Sequence, residues 1–303
     1  MEKCNYMVGK MKFDYLNRLA IDILVTWRCN LRCKKCCVPK TGPEASFAQF
    51  TDALDKFYDA GIRRIVLTGG DPLMREDISD IARHAKERGF EIYLSTNGIL
   101  LKEQWEKLSP YISWVSISLD SPTADFNEMM TGEGGAYQFK KIIEFLKYYR
   151  DLSEKTTKIK LATVITKKNK DYLVPLGKLI FEDQPGYRPD VWRLYQFSNQ
   201  FSDASDVGYR YVTENSVTQQ DAENAISLIR KAFPQINVSY RPAESRDESF
   251  IFLTPDLILN YPSGTKYIYF GDTKTMSSED IKNALYGVNR IWEKIIKNRE
   301  IYS

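Results

Sequence analysis

The sequence lacks the features that mark membrane and secreted proteins. It has no uninterrupted apolar run of the ~18 residues that a membrane-spanning helix needs. Its first residues, MEKCNYMVGKMKF, carry scattered charges and lack the apolar stretch of a signal peptide. The single histidine, His84, lies in the helical pattern ISDIARHAKERG, where a solvated helix residue is the simplest interpretation. These absences predict a cytoplasmic protein with no membrane partner.

A large excess of charge of one sign is also absent. There are 43 Lys and Arg residues against 40 Asp and Glu residues, which gives a formal net charge of +3. Non-specific nucleic-acid binding needs a concentrated basic face, so this balance gives no reason to expect a nucleic-acid partner. The chain has 303 residues, of which 43% are hydrophobic. That length allows one large α/β domain, or a domain with an appendage.

Cysteine is scarce but concentrated. Of five cysteines, Cys4 stands alone and the other four fall within residues 29–37. A secreted disulfide framework would spread its cysteines along the chain to join distant loops. Crowded thiols indicate metal ligation in a reducing compartment instead.

The pattern from residue 18 to residue 197 alternates apolar, branched runs with amphipathic helical stretches. Six strands separated by helices predict parallel pairing through right-handed crossovers. The fold class expected is therefore α/β, an open partial (β/α)6 barrel. The six predicted strands are RLAIDILVT (18–26), RRIVLT (63–68), FEIYLST (90–96), SWVSISLD (113–120), KIKLATVIT (158–166) and VWRLYQF (191–197).

The order of elements changes after Phe197. A polar stretch from Ser198 to Asn215 is the best candidate linker, and a helix at about 219–232 follows it. Three short strand-like runs, INVSY, SFIFL and KYIYF, precede a last helix that opens at Ser277. We expect an N-terminal leader (1–17), a barrel (18–197) and a small α+β C-terminal cap (198–303).

The cysteine motif suggests an iron–sulfur site. Cys29, Cys33 and Cys36 have the spacing CxxxCxxC on a loop that leaves the first strand. Three thiolates can ligate three irons of a [4Fe–4S] cubane and leave the fourth iron open to a small molecule. A structural zinc site is the alternative, but it usually takes four ligands in two separated pairs, and no second pair is present. Cys37 is more simply a bystander beside the cluster than a fourth ligand.

On these residues the chain resembles the radical S-adenosylmethionine (SAM) family, and the resemblance covers roughly residues 18–197. It implies an enzyme with an oxygen-sensitive [4Fe–4S] cluster on Cys29, Cys33 and Cys36. It also implies that SAM binds the open iron and is cleaved to a 5′-deoxyadenosyl radical, which abstracts a substrate hydrogen. An electron donor such as flavodoxin or ferredoxin is implied as a partner.

A second motif supports the resemblance. GGDP, which follows the second strand, looks like the family's GGEP motif, so Gly69, Gly70 and Asp71 are candidates for binding the SAM amino group. Asn97 and Ser118, at the ends of strands three and four, are candidates for the SAM ribose and the substrate. A turn-capping role is the alternative for both. Three departures from the family pattern are Asp71 in place of Glu, Lys35 in place of an aromatic residue, and Met129-Met130 in place of an Arg.

The substrate is less defined than the cofactors. On the sixth strand either Arg193 with Tyr195 or Trp192 with Gln196 faces the barrel interior. We favour Arg193 and Tyr195, because arginine could bind an anionic substrate. No cysteine follows Cys37, so this sequence cannot supply an all-cysteine auxiliary cluster.

The leading functional hypothesis is therefore a redox-neutral dehydration, rearrangement or epimerisation of a small molecule or nucleotide. The layout after the sixth strand is faintly similar to that of viperin-like nucleotide dehydratases. Alternatives are a peptide-modifying enzyme, a glycyl-radical activase, and a non-catalytic iron–sulfur or zinc module.

Overall fold

The computed structural model describes residues 16–33, 36, 38, 40–182, 189–197, 212–246, 250–263, 266–288 and 292. Cys4, Lys35, Cys37 and most of the predicted linker lie outside these residues. Within them, no helix is both long enough and apolar enough to cross a membrane.

The six predicted strands form and pair in chain order. Each pair from β1–β2 to β5–β6 is parallel and in continuous register. Their carboxyl ends therefore meet at one edge of the sheet. The strands are β1 (Ala20–Leu24), β2 (Arg64–Thr68), β3 (Glu91–Thr96), β4 (Trp114–Ser118), β5 (Lys158–Ile165) and β6 (Val191–Gln196).

The helices between these strands begin and end at recognisable signals. The first helix has a capping box in which Ser46 and Gln49 satisfy each other's backbone groups. The second ends at Gly89, whose φ of 107° is open to glycine but strained for other residues. The helices are α1 (Phe47–Asp59), α2 (Ile78–Arg88), α3 (Leu101–Leu108), α4 (Ala124–Thr131), α5 (Gly135–Arg150) and α6 (Leu173–Phe181).

The two faces of the sheet bury different residues. The outer face packs against the helices in one large apolar core, which includes Trp192 and Leu194 of β6. The inner face has a separate small cluster of five residues, Ala20, Val66, Tyr93, Trp114 and Val191, contributed by five different strands. Because side chains alternate along a strand, residues two and four positions after these lie on the same inner face.

The C-terminal segment extends this sheet at both edges. After α7 (Gln219–Ala232), strand β7 (Val238–Arg241) pairs in parallel with β6. Strand β8 (Ile251–Leu253) pairs in parallel with β1 at the opposite side. An antiparallel hairpin of β9 (Ile258–Ser263) and β10 (Lys266–Asp272) follows. The described sheet thus has ten strands in the order β10-β9-β8-β1-β2-β3-β4-β5-β6-β7, so it is open.

Helix α8 (Ser278–Tyr286) begins with the predicted Ser277–Asp280 capping box. Among the α-helices and strands named here, two were not predicted from the sequence. Helix α4 is short and polar, although Thr123 caps it by accepting from the Phe126 N–H. Strand β9 contains Pro262, which normally argues against a strand. The structure accommodates this proline because β8 pairs only with residues 259 and 260 of β9, so Pro262 lies beyond the end of β8.

Candidate active site

The loops that follow β1, β2 and β3 are neighbours because these strands are adjacent and parallel. The β1 loop carries the cysteines, the β2 turn carries GGDP, and the β3 turn carries Asn97. Ligand sites in parallel α/β folds occur at this edge of the sheet. The fold therefore brings the cysteine loop and both turns to one place.

The cysteine loop is anchored at its base. One carboxylate oxygen of Glu44 accepts from the Thr26 hydroxyl at 2.6 Å and from the Trp27 N–H at 2.9 Å. Cys29 and Cys33 are half-buried and Cys36 is exposed, and none of these three cysteines is in a disulfide bond. The Cys36 N–H donates to the Cys33 carbonyl at 3.1 Å, which holds the second and third cysteines of the motif near each other.

Lys40 is a site residue that the sequence analysis missed. Its ammonium lies 3.2 Å from Cys36 Sγ. Burial lowers the pKa of Lys40, but the nearby thiols of Cys36, Cys29 and Cys33 outweigh this effect and leave it raised. The Lys40 ammonium therefore contacts the Cys36 sulfur and lies within electrostatic range of the sulfurs of Cys29 and Cys33. The available signal was a basic residue four positions after the third cysteine.

The two glycines of GGDP bring the β2 turn into contact with the cysteine loop. The Gly70 N–H donates to the Thr26 carbonyl and the Asp71 N–H donates to the Arg28 carbonyl, both at 2.8 Å. A Cβ on Gly70 would lie 2.2 Å from the Arg28 oxygen, and one on Gly69 would lie 2.5 Å from the Thr26 oxygen. Gly69 also has a φ of 144°. In this structure the glycines allow close approach of backbone to backbone.

Asp71 is fully buried beneath the turn. One carboxylate oxygen accepts from the Leu73 N–H at 3.0 Å, and the other accepts from the Thr96 hydroxyl at 2.8 Å and the Asn97 N–H at 2.7 Å. Burial raises the pKa of Asp71 to about 6, against the opposing effect of these hydrogen bonds. Its side chain therefore ties the β2 turn to the β3 turn.

Asn97 links the β3 turn to the cysteine loop. Its side-chain nitrogen lies 3.7 Å from Cys29 Sγ and 2.7 Å from Asn30 Oδ1. Cys29 Sγ also accepts from the Leu31 N–H at 3.4 Å. Burial raises the pKa of the Cys29 thiol, and the Leu31 N–H and the charge of Lys40 oppose that rise. The β3 turn thus directly contacts Cys29, one of the proposed cluster ligands.

The remaining candidates lie on the inner face. Ser118 ends β4, and its side chain is exposed. Arg193 and Tyr195 follow Val191 of the inner cluster at spacings of two and four, so both face inward. Trp192 packs in the outer core, and Gln196 bonds to the Val217 carbonyl and the Tyr240 hydroxyl.

Lys160 on β5 is a second residue that the sequence analysis missed. It alternates with Ile159 and Leu161, which belong to the outer core, so it faces inward like Arg193. Only 3% of Lys160 and 3% of Arg193 is exposed. The alternation within KIKLATVIT would have been sufficient to identify it.

The donor set fits an iron–sulfur cubane. In the part of the chain that the structure describes, no three His, Cys, Asp or Glu side chains are grouped tightly enough to hold a single metal ion. A cubane has a different requirement, because each thiolate binds a separate iron. Cys29, Cys33 and Cys36 on one anchored loop, with a cation against the Cys36 sulfur, fit that requirement.

Comparisons with known proteins agree with this chemistry. Residues 23–179 match the model of the Radical SAM superfamily. The chain is 33% identical over 162 residues to an AdoMet-dependent heme synthase of Oleidesulfovibrio alaskensis, covering 51% of this chain and 40% of the relative. It is 37% identical over 118 residues to a probable GTP 3',8-cyclase of Archaeoglobus fulgidus, covering 38% of this chain and 40% of the relative. The match therefore spans about two fifths of the length of these relatives.

Two solved structures share the fold at low sequence identity. Streptococcus suis SuiB bound to precursor peptide SuiA superposes with a TM-score of 0.73 and 16% identity, covering 95% of this chain and 71% of SuiB. The structure of anSMEcpe with bound AdoMet and Cp18Cys peptide gives a TM-score of 0.65 and 15% identity, covering 90% of this chain and 83% of anSMEcpe. The predicted partial barrel is thereby confirmed. The family model matches more than half of this chain, so the chain belongs to the radical SAM superfamily, whose members use a [4Fe–4S] cluster and SAM.

Proposed function

We propose that this enzyme abstracts a hydrogen atom from an anionic small molecule or nucleotide that binds against the inner face of β5 and β6. The observation that carries the proposal is the pair Lys160 and Arg193, buried on the same face of neighbouring strands. Two buried cationic side chains on one surface make it electropositive, and an electropositive surface favours an anionic ligand. Arginine in particular suits carboxylate and phosphate groups, because its planar fork can bind two oxygens.

The cofactors are assigned to the adjacent loops. We assign the cluster to Cys29, Cys33 and Cys36. The residues proposed for SAM are Gly69, Gly70, Asp71, Asn97 and Ser118. When bound, the cluster and SAM together supply the 5′-deoxyadenosyl radical that takes the substrate hydrogen.

The chain itself contributes position. Glu44 and the GGDP turn hold the cysteine loop at the end of β1. The carboxylate of Asp71 is engaged by three donors from the protein, which supports a positioning role for its side chain. The exposed hydroxyl of Ser118 is available to the SAM ribose or to the substrate. Tyr195, one inward position beyond Arg193, is proposed to line the substrate site.

The reaction is proposed to be redox-neutral. No cysteine occurs in these 303 residues after Cys37, so this chain supplies no all-cysteine auxiliary cluster that could oxidise a product radical. Dehydration, rearrangement or epimerisation needs no such acceptor. The match to a probable GTP 3',8-cyclase supports the nucleotide branch of this proposal.

A peptide is the second candidate substrate. The two solved structures described above contain a bound peptide, and they superpose on 95% and 90% of this chain. Peptide and nucleotide substrates are separable by the same assay, because only the true substrate accelerates formation of 5′-deoxyadenosine and takes part in the reaction.

The test begins with anaerobically reconstituted protein. We expect about four irons per chain and formation of 5′-deoxyadenosine from SAM in the presence of dithionite. The rate is then measured with nucleoside triphosphates, with small di- and tricarboxylates and with short peptides. Zinc in place of iron, or a cluster that never cleaves SAM, would disprove the cofactor assignment.

The anionic site is tested separately with Arg193→Met. Loss of a charged hydrogen bond should raise the substrate concentration for half-maximal stimulation by roughly 10- to 100-fold. Arg193→Lys should raise it less. Arg230, which is exposed on α7, provides the control variant Arg230→Met, for which we expect native behaviour. Equal stimulation of Arg193→Met and native protein would contradict the proposed site.

A further inference from the structure

We infer that Asn97 is a positioning residue that donates an N–H···S hydrogen bond to Cys29 and thereby makes the cluster easier to reduce. The inference rests on the proposed assignment of the cluster to Cys29, Cys33 and Cys36. It adds to the role in SAM binding proposed above for Asn97. The observation behind it is the 3.7 Å contact between Asn97 Nδ2 and Cys29 Sγ.

The orientation of the Asn97 amide is fixed by its neighbours. Its side-chain oxygen accepts from the Ile99 N–H at 3.0 Å. A backbone N–H can only donate, so the other terminal atom of the amide is the nitrogen. That nitrogen has two hydrogens, and its two contacts are Asn30 Oδ1 and Cys29 Sγ. The donor therefore points at the sulfur.

The Asn97 backbone is held just as firmly. Its N–H donates to the buried carboxylate of Asp71 at 2.7 Å, and its carbonyl accepts from Gln138 Nε2 at 3.0 Å. Gln138 is itself buried and also donates to the Ser118 carbonyl at 3.1 Å. The backbone of Asn97 is consequently held by the β2 turn and by α5, which also contacts the end of β4.

Hydrogen bonds to cysteine sulfurs are among the factors that set the reduction potential of an iron–sulfur cluster. A donor stabilises the more negative, reduced state more than the oxidised state, and so it raises the potential. Partners outside the ligand shell commonly tune metal sites in this way. A turn-capping role explains only the contact of the Asn97 side-chain oxygen with Ile99 and leaves the N–H contact to Cys29 unexplained.

Two variants separate the donor from the turn. Asn97→Asp keeps an oxygen for the Ile99 N–H but removes the donor and adds a negative charge near the sulfur. Asn97→Ala removes the donor without adding charge. Asn30→Ala is the matched control, since it removes the other contact of the same amide and leaves the contact with Cys29 in place.

The measurement is an EPR-monitored redox titration of the reconstituted full chain, with iron content and urea unfolding recorded for each variant. We expect the equilibrium constant for one-electron reduction to fall about 3- to 10-fold in Asn97→Ala, where tenfold corresponds to about 59 mV. The equilibrium constant should fall further in Asn97→Asp, and Asn30→Ala should have the same reduction potential as the native protein.

Three results would overturn the inference. One is a native potential in both Asn97 variants at full iron content. Another is loss of iron from both variants while their urea midpoints stay native, which would make Asn97 an assembly residue. The third is unfolding of both variants, which would assign it to the fold. Absence of iron from the native protein is a separate outcome, since it would overturn the proposed function itself.

Discussion

Replacing Gly70 by Ala tests whether the GGDP turn sets the position of the cysteine loop. A Cβ at this position would lie 2.2 Å from the Arg28 carbonyl oxygen and 2.4 Å from that of Trp27, whereas real Cβ contacts stay above 3.0 Å. Both obstacles are backbone atoms, so the loop must move by about 0.8 Å or more. The Arg28 peptide adjoins Cys29, and the displacement therefore reaches the first cluster ligand.

The expected loss of stability combines two effects. Overpacking against a fixed backbone costs about 1–3 kcal/mol. The hydrogen bonds from Gly70 N to Thr26 O and from Asp71 N to Arg28 O contribute about 1 kcal/mol each. We expect a decrease of about 3 to 5 kcal/mol in the free energy of unfolding of the cluster-free protein, measured by urea denaturation. Reconstituted Gly70→Ala should also hold much less iron than the native protein.

Gly287 provides the control. It lies at the end of α8 with a φ of −60°, and its nearest Cβ contact would be 3.2 Å from the Ala284 carbonyl. Gly287→Ala should change stability by less than about 0.5 kcal/mol and leave iron content unchanged. Native stability and full iron content in Gly70→Ala would refute the argument that this glycine is needed for backbone contact.

Three further predictions concern the same region. Cys33→Ala should abolish the cluster while leaving the circular dichroism spectrum largely native, because the apolar core lies elsewhere; global unfolding would contradict a purely catalytic role for the cluster. In cluster-free protein, the pKa of Asp71 is raised to about 6, so protonation of its carboxyl group stabilises the folded state. This stabilisation is complete below pH ~4 and is lost as the pH rises through ~6, by at most about 3 kcal/mol. Asp71→Asn should remove this fall in urea titrations at pH 4.5 and 7.5, and an unchanged fall would assign it to another group. Residues 28–40 include five basic residues and no acidic one. Arg32→Glu should therefore slow cluster reduction by an acidic flavodoxin several-fold at low salt but should not slow reduction by methyl viologen. Arg230→Glu is the control variant, and equal slowing by both variants would exclude a docking role for this loop.

The parallel core was predictable from the sequence because its signals are local. Each predicted strand is a short apolar run bounded by helical periodicity, and the six units form as expected. Capping residues set the helix ends, as at Ser277 and Gly89. Crossover handedness then leaves little choice of topology for successive parallel strands. The placement of the cysteine loop beside the GGDP turn follows from that topology.

The edges of the sheet were not predictable in the same way. Nothing local to residues 251–253 indicates that they pair with β1, more than 200 residues earlier in the chain. Likewise, β7 pairs with β6 across a predicted linker and a predicted helix. Long-range pairings of short strands depend on the whole sheet. The domain boundary at residue 197 stays a prediction, and the sheet contains strands from both sides of that residue.

At the site, the residue types were predictable and their contacts were not. Asp71 and Asn97 were identified as candidates for cofactor binding, but their partners depend on how three turns meet in space. Asp71 accepts from the β3 turn, and Asn97 donates toward Cys29. Lys40 was overlooked because a lysine in a basic loop is ordinarily solvated, and only the folded loop places it against Cys36.

These contacts connect the start of the cysteine loop to the two neighbouring turns. Backbone hydrogen bonds join it to the β2 turn, the buried carboxylate of Asp71 joins that turn to the β3 turn, and the Asn97 amide returns from the β3 turn to Cys29. The cysteine loop, the β2 turn and the β3 turn are therefore each in contact with the other two. A displacement of any one turn has to be shared by the other two, so the sheet register, more than the loop sequence, fixes where the first cluster ligand lies. Substitutions at Gly70, Asp71 or Asn97 should accordingly couple to one another in cluster potential, whereas substitutions at Arg193 should add to them independently.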